Sequence, residues 1–503
     1  MTRRRGDLRE VLESAEIGHA IDKVTYKDAL PELRAALLDR QAELKERAEV
    51  PLIVLVSGLD GAGKGETVNV LHQWLDTRLM ATHAFGKPTD EERARPFLWR
   101  YWRVLPPKGS AALIFNSWYS TPLFNRVYDL SGPEPFDNAL EAITRFERML
   151  VREGAVLLKF WFHLSKKAQK KRLQKLERDP NTRWRVTNED WDHFARYDGL
   201  RRCAEQMLRQ TSTAEAPWII VEGEDERYRN LATGKALLAA FEKGLAPKPP
   251  PEPHHESPPL FEPIDHLRII DKLDLSQHLP KPEYEVELAQ LQARLNKLVR
   301  APKFFKKRAL VAVFEGNDAA GKGGSIRRVT QALDARQYKV MQTAAPTEEE
   351  RAQPYLWRFV RQIPGYGQIT LFDRSWYGRV LVERVEALAA EPDWLRAYAE
   401  INDFETELVE HGTVVVKFWL SISKDEQLAR FQAREQEDFK RYKITPDDYR
   451  NRAKWDAYRD AASDMVERTS TELAPWTLIE ANDKYFARVK VLRTLVEALE
   501  AAK

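Results

Sequence analysis

The 503-residue sequence contains a single cysteine, Cys203, and no apolar run close to the ~18 residues that a membrane-spanning helix needs. One cysteine can form neither an intramolecular disulfide nor a cysteine-based zinc site, and such sparse use is typical of a reducing compartment. The basic residues after Met1 are not followed by an apolar segment, so the N-terminus does not resemble a signal peptide. We therefore expect a cytoplasmic protein that has no membrane partner.

The sequence also lacks an excess of charge of either sign. It has 80 Lys and Arg against 77 Asp and Glu, a net charge of +3, which does not indicate a nucleic-acid partner. Hydrophobic residues make up 43% and charged residues 31%, which is the balance of a globular protein and excludes a disordered or collagen-like chain. At ~150 residues per domain, the length suggests two to four domains.

What the sequence does contain is a long internal repeat. The segment from Val56 to Gly65 matches the segment from Phe314 to Gly323 at an offset of 258 residues. The same offset recurs without a gap at Leu-Trp-Arg (Leu98, Leu356), Ser-Trp-Tyr (Ser117, Ser375), Lys-Phe-Trp (Lys159, Lys417) and Ala-Pro-Trp (Ala216, Ala474). So constant an offset predicts two homologous domains, each with its own core.

A proline-rich segment lies between the two copies. The prolines are concentrated between Ala246 and Pro259. So many prolines in a short segment block helices and sheet ladders and favour an extended, semi-rigid spacer. We predict an N-terminal domain at residues 1–245, a linker at 246–262 and a C-terminal domain at 263–503.

Apolar runs in the second copy predict buried strands at residues 309–314, 369–372, 413–420 and 476–479, and residues 285–299 have helical periodicity. This alternation favours an α/β fold with a mostly parallel sheet, in which ligands bind at the carboxyl ends of the strands. The run at 309–314 opens into the glycine-rich segment from Gly316 to Gly324, and together these features predict a P-loop kinase-like three-layer sandwich, duplicated in tandem.

The segment Gly316 to Lys322 fits the first seven positions of the phosphate-binding pattern G-x-x-x-x-G-K-[ST], with a predicted strand before it and a helix after it. The backbone N–H groups of such a loop point at phosphate oxygens, and Lys322 is expected on the transferred phosphate. Gly323 replaces the Ser or Thr that would ligate Mg²⁺. Asp318 would face phosphates from inside the loop, which favours a bridging cation, so we predict that Asp318 binds Mg²⁺.

A second acidic group is expected at the end of a neighbouring strand, and the apolar run from Gly367 ends in Asp373 and Arg374. We predict that Asp373 also binds the metal and that Arg374 neutralises charge on the phosphoryl group; the alternative is a structural Asp–Arg pair. The first copy has Phe115 and Asn116 at these positions. We therefore predict that only the C-terminal domain is catalytic.

The two copies also differ in charge. Residues 53–245 carry 30 Lys and Arg against 25 Asp and Glu, whereas residues 311–503 carry 29 against 32. Either a solvated helix face or a docking surface for a polyanion accounts for the basic run of the first copy, which comprises Lys166, Lys167, Lys170, Lys171, Arg172 and Lys175.

This combination resembles the polyphosphate kinase 2 family. The motifs of the second copy that carry the resemblance are Gly-x-Asp-x-x-Gly-Lys-Gly at Gly316, Pro-Thr-x-Glu-Glu at Pro346, Leu-Trp-Arg at Leu356, Asp-Arg-Ser-Trp-Tyr-Gly-Arg at Asp373, Lys-Phe-Trp-Leu at Lys417 and Thr-Ser-Thr at Thr469. The tandem arrangement is similar to the two-domain members, polyphosphate:AMP phosphotransferases, which move the terminal phosphate of inorganic polyphosphate onto AMP to give ADP.

The resemblance implies a cofactor and a set of site residues. Mg²⁺ would be held by Asp318 and Asp373, and Lys322, Arg374 and Arg434 would stabilise the transferring phosphoryl group. A lid that includes Arg430, Arg434 and the basic run from Lys440 to Lys443 would exclude water and favour transfer over hydrolysis. The implied phosphate and nucleotide contacts are Gly316, Asn317, Ala320, Gly321, Gly323, Gly324, Ser325, Arg351, Arg379, Arg430, Lys440 and Lys443.

The implied partners are inorganic polyphosphate and AMP or ADP. Family members often form dimers or larger oligomers, although the sequence shows no interface. Two alternatives stay open: a polyphosphate-dependent ADP or GDP kinase or an NTP-dependent nucleoside monophosphate kinase of the same fold, and a non-catalytic binding module. The module is the favoured interpretation for the N-terminal half alone.

Overall fold

The computed structural model describes residues 11–247, 267–437, 444 and 446–502, so most of the predicted linker and both Lys440 and Lys443 lie outside the described residues. The described residues form two compact units. The first lies within Met1–Pro88, Arg100–Lys248 and Thr347–Tyr355, and the second within Thr89–Trp99, Pro249–Pro346 and Leu356–Lys503. Each unit is thus built around one copy of the repeat, with a short segment from the other copy.

Within residues 11–247 the first copy contains five strands and ten α-helices. Its strands are β1 (Leu52–Gly58), β2 (Met80–Ala84), β3 (Ala111–Phe115), β4 (Val156–His163) and β5 (Trp218–Glu222). Its helices are α1 (Lys23–Arg47), α2 (Lys64–Trp74), α3 (Asp90–Arg93), α4 (Trp99–Trp102), α5 (Ser120–Val127), α6 (Pro133–Arg152), α7 (Lys166–Arg178), α8 (Asn188–Ala195), α9 (Tyr197–Thr211) and α10 (Glu226–Leu245).

The second copy contains the matching strands and a similar set of helices. Its strands are β6 (Ala309–Gly316), β7 (Tyr338–Gln342), β8 (Ile369–Asp373), β9 (Thr413–Ser421) and β10 (Trp476–Glu480). Its helices are α11 (Lys281–Val299), α12 (Pro302–Lys307), α13 (Lys322–Thr330), α14 (Glu348–Arg351), α15 (Trp357–Val360), α16 (Val382–Val385), α17 (Glu391–Glu410), α18 (Lys424–Gln436), α19 (Pro446–Ala453), α20 (Trp455–Thr469) and α21 (Lys484–Ala501).

The two sheets have the same topology. Their strand orders are β2-β3-β1-β4-β5 and β7-β8-β6-β9-β10, and the strands pair in parallel throughout. The strand that precedes the glycine loop is central in each sheet. This confirms the predicted α/β fold in tandem. The parallel pairing brings the carboxyl ends of β6, β8 and β9 together at one end of the sheet.

Helices pack against both faces of each sheet. Successive side chains of a strand point to opposite faces, so each buried strand contributes side chains to the packing on both sides. In β9, Val416, Phe418 and Leu420 belong to the core cluster that also contains residues of α11 and α21. Lys417 points the other way and pairs with Glu405 of α17. Each sheet is therefore the middle of three layers, as predicted.

The four predicted strands are all present, within two residues at their ends, whereas the predicted helix at 285–299 begins four residues earlier, at Lys281. Strand β7 was not predicted, because it lies at the sheet edge, is partly or fully exposed, and so has no apolar run. No helix within the described ranges is long and apolar enough to cross a membrane.

Candidate active site

The phosphate loop, residues 316–322, leaves β6 through a backbone conformation that only glycine supports. Gly316 has a φ of 143°, and a Cβ there would lie 2.3 Å from the carbonyl oxygen of Leu420. Asn317 then fixes the loop to β9: its backbone N donates to that same carbonyl oxygen at 3.1 Å, and its Oδ1 accepts from the backbone N of Ile422 at 3.1 Å. Gly321, which has a φ of 101°, caps the N-terminus of α13.

Lys322 begins α13 and turns its side chain back into the loop. Its Nζ donates to the carbonyl oxygens of Gly316 and Asn317 at 2.8 and 3.0 Å. Burial and the neighbouring charge of Arg374 hold the pKa of Lys322 below its usual range, and the charges of Asp318 and Asp373 oppose this shift. The lysine thus lies among the predicted catalytic residues.

Asp318 and Arg374 form a direct ion pair. The Arg374 Nη2 donates to Asp318 Oδ1 at 2.6 Å, and Asn451 Nδ2 donates to Asp318 Oδ2 at 3.0 Å. Burial alone would raise the pKa of Asp318, but the charges of Lys322 and Arg374 outweigh it and hold that pKa below its usual range. The carboxylate is therefore ionised at neutral pH, as a metal ligand must be.

Asp373 is the last residue of β8 and lies opposite Phe314 of the neighbouring β6. The charges of Asp373 and Asp318 both act on Lys322 and Arg374. The two carboxylates therefore lie near each other, at the carboxyl ends of the strands. Such a pair fits Mg²⁺, which takes one or two protein carboxylates together with substrate phosphates. Across the described ranges no group of three or more His, Cys, Asp or Glu side chains is placed to hold a metal.

The turn after β8 is held by a buried carboxylate that sequence reasoning missed. Arg374 has a φ of 66°, and Ser375, the next residue, donates to Glu315 through both its backbone N and its Oγ. Burial raises the pKa of Glu315, which is 5% exposed. Comparison of the two copies could have identified Glu315, because Ser57 replaces it in the copy that also lacks Asp373 and Arg374.

Asn451 is a second residue that sequence reasoning missed. Its counterpart in the first copy is His193, whose Nδ1 lies 2.7 Å from Oδ2 of the loop aspartate Asp60. In each copy, therefore, a polar side chain of the corresponding helix, α8 in the first and α19 in the second, contacts the aspartate of the loop. The offset of 258 relates these two positions, although Asn and His at one position do not by themselves suggest a shared role.

The predicted lid arginines have different surroundings. Arg430 of α18 donates to the carbonyl oxygens of Ala319, Ala481 and Asn482 at 2.8 to 3.0 Å, so here it braces the loop backbone. Arg434, one turn later, is half-buried and lies within electrostatic reach of Asp318.

The other predicted contacts divide into two groups. Ala320 and Ser325 are buried, and Gly323 and Gly324 belong to the first turn of α13, so these four residues lie in the loop or directly after it. Arg379 Nε pairs with Glu383 Oε2 at 2.7 Å, and Arg351 ends α14 in a segment that belongs to the first unit. These contacts do not test a phosphate-binding role, so the roles of Arg379 and Arg351 stay predictions.

The loop of the first copy, residues 58–64, resembles the loop of the second copy in backbone conformation, but the strand beside it ends in a different residue. Gly58 has a φ of 136°, and Lys64 donates to the carbonyl oxygens of Gly58 and Leu59, as Lys322 does in the second copy. Phe115 ends β3 where Asp373 ends β8. The basic run lies on α7 with its five lysines exposed.

Comparison with known proteins agrees with this geometry. The family model described as polyphosphate kinase 2 matches residues 20–248 and 278–503. A Pseudomonas aeruginosa protein named Polyphosphate:AMP phosphotransferase is 56% identical over 98% of this chain and 99% of its own length, and an Acinetobacter johnsonii protein of the same name is 40% identical over 90% and 91%. A crystal structure of a polyphosphate kinase 2 from P. aeruginosa has a TM-score of 0.88 at 54% identity and covers 98% of this chain and 99% of that one. The family model thus matches once in each repeat, relatives align from end to end, and the chain belongs to the polyphosphate kinase 2 family.

Proposed function

We propose that this protein transfers the terminal phosphate of inorganic polyphosphate to AMP, giving ADP, with Mg²⁺ as cofactor. The observation that carries the proposal is the 56% identity, over 98% of the chain, to the P. aeruginosa protein named Polyphosphate:AMP phosphotransferase. The geometry supports it, because Lys322, Arg374 and two carboxylates meet at one edge of the second sheet.

The residues of this site have separate tasks in the proposed reaction. The N–H groups of the phosphate loop and the N-terminus of α13 bind phosphate oxygens, and Lys322 neutralises the transferring group. Arg374 lies beside Asp318 at 2.6 Å and contributes a second positive charge. Mg²⁺, held by Asp318 and Asp373, would supply further charge neutralisation to the phosphates.

Catalysis in this proposal belongs to the second copy alone. A phosphoryl group in flight spreads negative charge over its oxygens, and transfer depends on positioned cations. The first copy has Phe115 and Asn116 in place of Asp373 and Arg374, and Leu176 in place of Arg434. The first copy would therefore lack one metal ligand and two of the arginines.

The test is ADP formation from AMP and long-chain polyphosphate in the absence of ATP, followed by chromatography. The matched pair Lys322→Ala and Lys64→Ala separates the two copies: the first is expected to lower kcat by at least 10²-fold and the second by less than threefold. Loss of turnover in Lys64→Ala with normal turnover in Lys322→Ala would overturn the assignment of the active copy.

The acceptor is tested in the same assay with ADP and GDP in place of AMP. A kcat/KM higher for ADP or GDP than for AMP would favour the alternative nucleotide kinase, and turnover with ATP but not polyphosphate would favour an NTP-dependent one. The proposal also includes a cytoplasmic location, homo-oligomers and no nucleic-acid partner, which fractionation, light scattering and a DNA-binding assay would examine.

A further inference from the structure

Three arginines of the first unit converge on one carboxylate, that of Glu66. Arg172 Nη2 lies 2.7 and 2.8 Å from its two oxygens, Arg185 Nη1 lies 3.1 Å from Oε1, and Arg229 Nη2 lies 3.0 Å from Oε2. Glu66 is the third residue of α2, directly after the loop 58–64. The carboxylate thus belongs to the first turn of the helix that follows the loop, and the N-terminus of such a helix is where phosphate loops bind phosphate.

Arg229 is the most buried member of this cluster, at 2% side-chain exposure. Its Nε and Nη1 donate to Thr67 Oγ1 and to the carbonyl oxygen of Gly223, both at 2.9 Å, which leaves Nη2 for Glu66. A Cβ on Gly63 would lie 2.3 Å from the Arg229 Cζ, so the guanidinium group rests directly against the loop. A cation this buried needs an anion beside it.

The sequence of the second copy lacks two central members of this arrangement. Glu66 matches Gly324, and Arg229 matches Ala487. Arg172 matches Arg430, which donates to carbonyl oxygens of the loop and of the segment after β10. In the first copy Arg229 donates to the carbonyl oxygen of Gly223, which matches Ala481. Arg172 donates to Glu66.

We propose that Glu66 is a built-in anion that occupies the phosphate position of the first unit and closes it to polyphosphate. Carboxylates and phosphates are bound by arginine in the same paired geometry, so a carboxylate held by three arginines excludes a phosphate from them. Removal of that carboxylate leaves a cationic site of three arginines, Lys64 and the N-terminus of α2. The ligand class of the opened site is a terminal phosphate of inorganic polyphosphate.

Calorimetric titration of the full chain with sodium tripolyphosphate counts the sites. Glu66→Gly, which installs the residue of the second copy, is expected to bind one more tripolyphosphate per chain than the wild type. The double variant Glu66→Gly/Arg172→Met is expected to return to the wild-type number. The difference in number is independent of whether the second copy phosphorylates AMP, which is measured separately.

Two results would overturn the proposal. One is a folded Glu66→Gly variant, checked by circular dichroism, that binds the wild-type number of ligands. The other is a loss of one bound tripolyphosphate when Arg172→Met is introduced alone, because the wild-type site would then already be open. If Glu66→Gly does not fold, Glu66→Gln, which keeps the shape and removes the charge, is expected to show the additional site, and its absence there counts against the proposal.

Discussion

Glu315 accepts hydrogen bonds from both the backbone N and the Oγ of Ser375, each at 2.8 Å. The carboxylate is at the end of β6 and the serine follows the end of β8, so this contact joins the loop strand to the turn that carries Asp373 and Arg374. Because Arg374 adopts the left-handed conformation at a φ of 66°, its position depends on contacts that hold the turn.

We therefore expect Glu315→Ala to lower the turnover of AMP by about 10² without unfolding the chain, because small displacements of a catalytic group have effects of that size. Glu315→Gln, which keeps one acceptor oxygen, is expected to recover most of the loss. The measurement is kcat with saturating AMP and polyphosphate, and the matched control is Ser57→Ala in the first copy. Equal kcat in Glu315→Ala and wild type would show that the contact does not position the turn.

The buried ion pair between Lys417 and Glu405 gives a prediction about stability. Their Nζ–Oε2 distance is 2.7 Å, and the side chains are 0% and 1% exposed. Lys417→Met removes the cation and leaves Glu405 buried beside Tyr377, which is expected to lower the free energy of unfolding by about 3–5 kcal/mol. Lys417→Met/Glu405→Leu is expected to lose less, because no charge is left unpaired.

Urea unfolding followed by tryptophan fluorescence measures both variants. Lys159→Met in the first copy is the matched comparison, since Lys159 and Glu147 form the same pair at 2.7 Å. A double variant that is less stable than Lys417→Met alone would contradict the explanation by unpaired charge.

The sequence predicts the fold well because buried parallel strands have a strong apolar signal. Strand β6 is buried along nearly its whole length, and its predicted range ends two residues before the observed one. Strand β7 has a weak signal because an edge strand shares its hydrogen bonds with one neighbour and is exposed to solvent. Local composition therefore finds the strands that have an apolar run, including β10 at the other edge of the sheet, and misses the exposed strand β7.

The site could be predicted only where its residues belong to a contiguous motif. Asp318 and Lys322 are four residues apart, and the structure brings both to Arg374. Contacts between distant segments had no such signal: Glu66 and Arg172 are 106 residues apart and meet only because α7 returns beside the loop. Which of several arginines turns toward the loop depends on packing that the sequence does not encode locally.

Asn451 donates to Asp318 Oδ2 at 3.0 Å and gives a prediction about the loop aspartate. Asn451→Ala removes one of the groups that orient the carboxylate, so it is expected to raise the Mg²⁺ concentration at half-maximal activity about three- to tenfold. Asn451→His installs the residue of the first copy, where His193 contacts Asp60, and is expected to stay within threefold of wild type. The measurement is the rate of ADP formation across a Mg²⁺ titration, and a larger effect of Asn451→His than of Asn451→Ala would contradict the expected role.

Asp60 gives a prediction about pH and stability. Burial would raise its pKa, but the charges of Lys64 and His193 and the hydrogen bond from His193 lower it from 3.8 to about 2. A carboxylate whose pKa is lower in the folded than in the unfolded state stabilises the fold above the unfolded pKa, and this contribution is lost as the pH falls from about 4 toward 2. The side chain is 23% exposed, and the full contribution at neutral pH is about 2 kcal/mol. We therefore expect the difference in unfolding free energy between wild type and Asp60→Asn to shrink by about 1 kcal/mol between pH 6 and pH 3, measured by urea unfolding at each pH. Introducing His193→Ala into both proteins is expected to reduce that pH dependence, and a difference that stays constant or grows on acidification would show that Asp60 is not the group responsible.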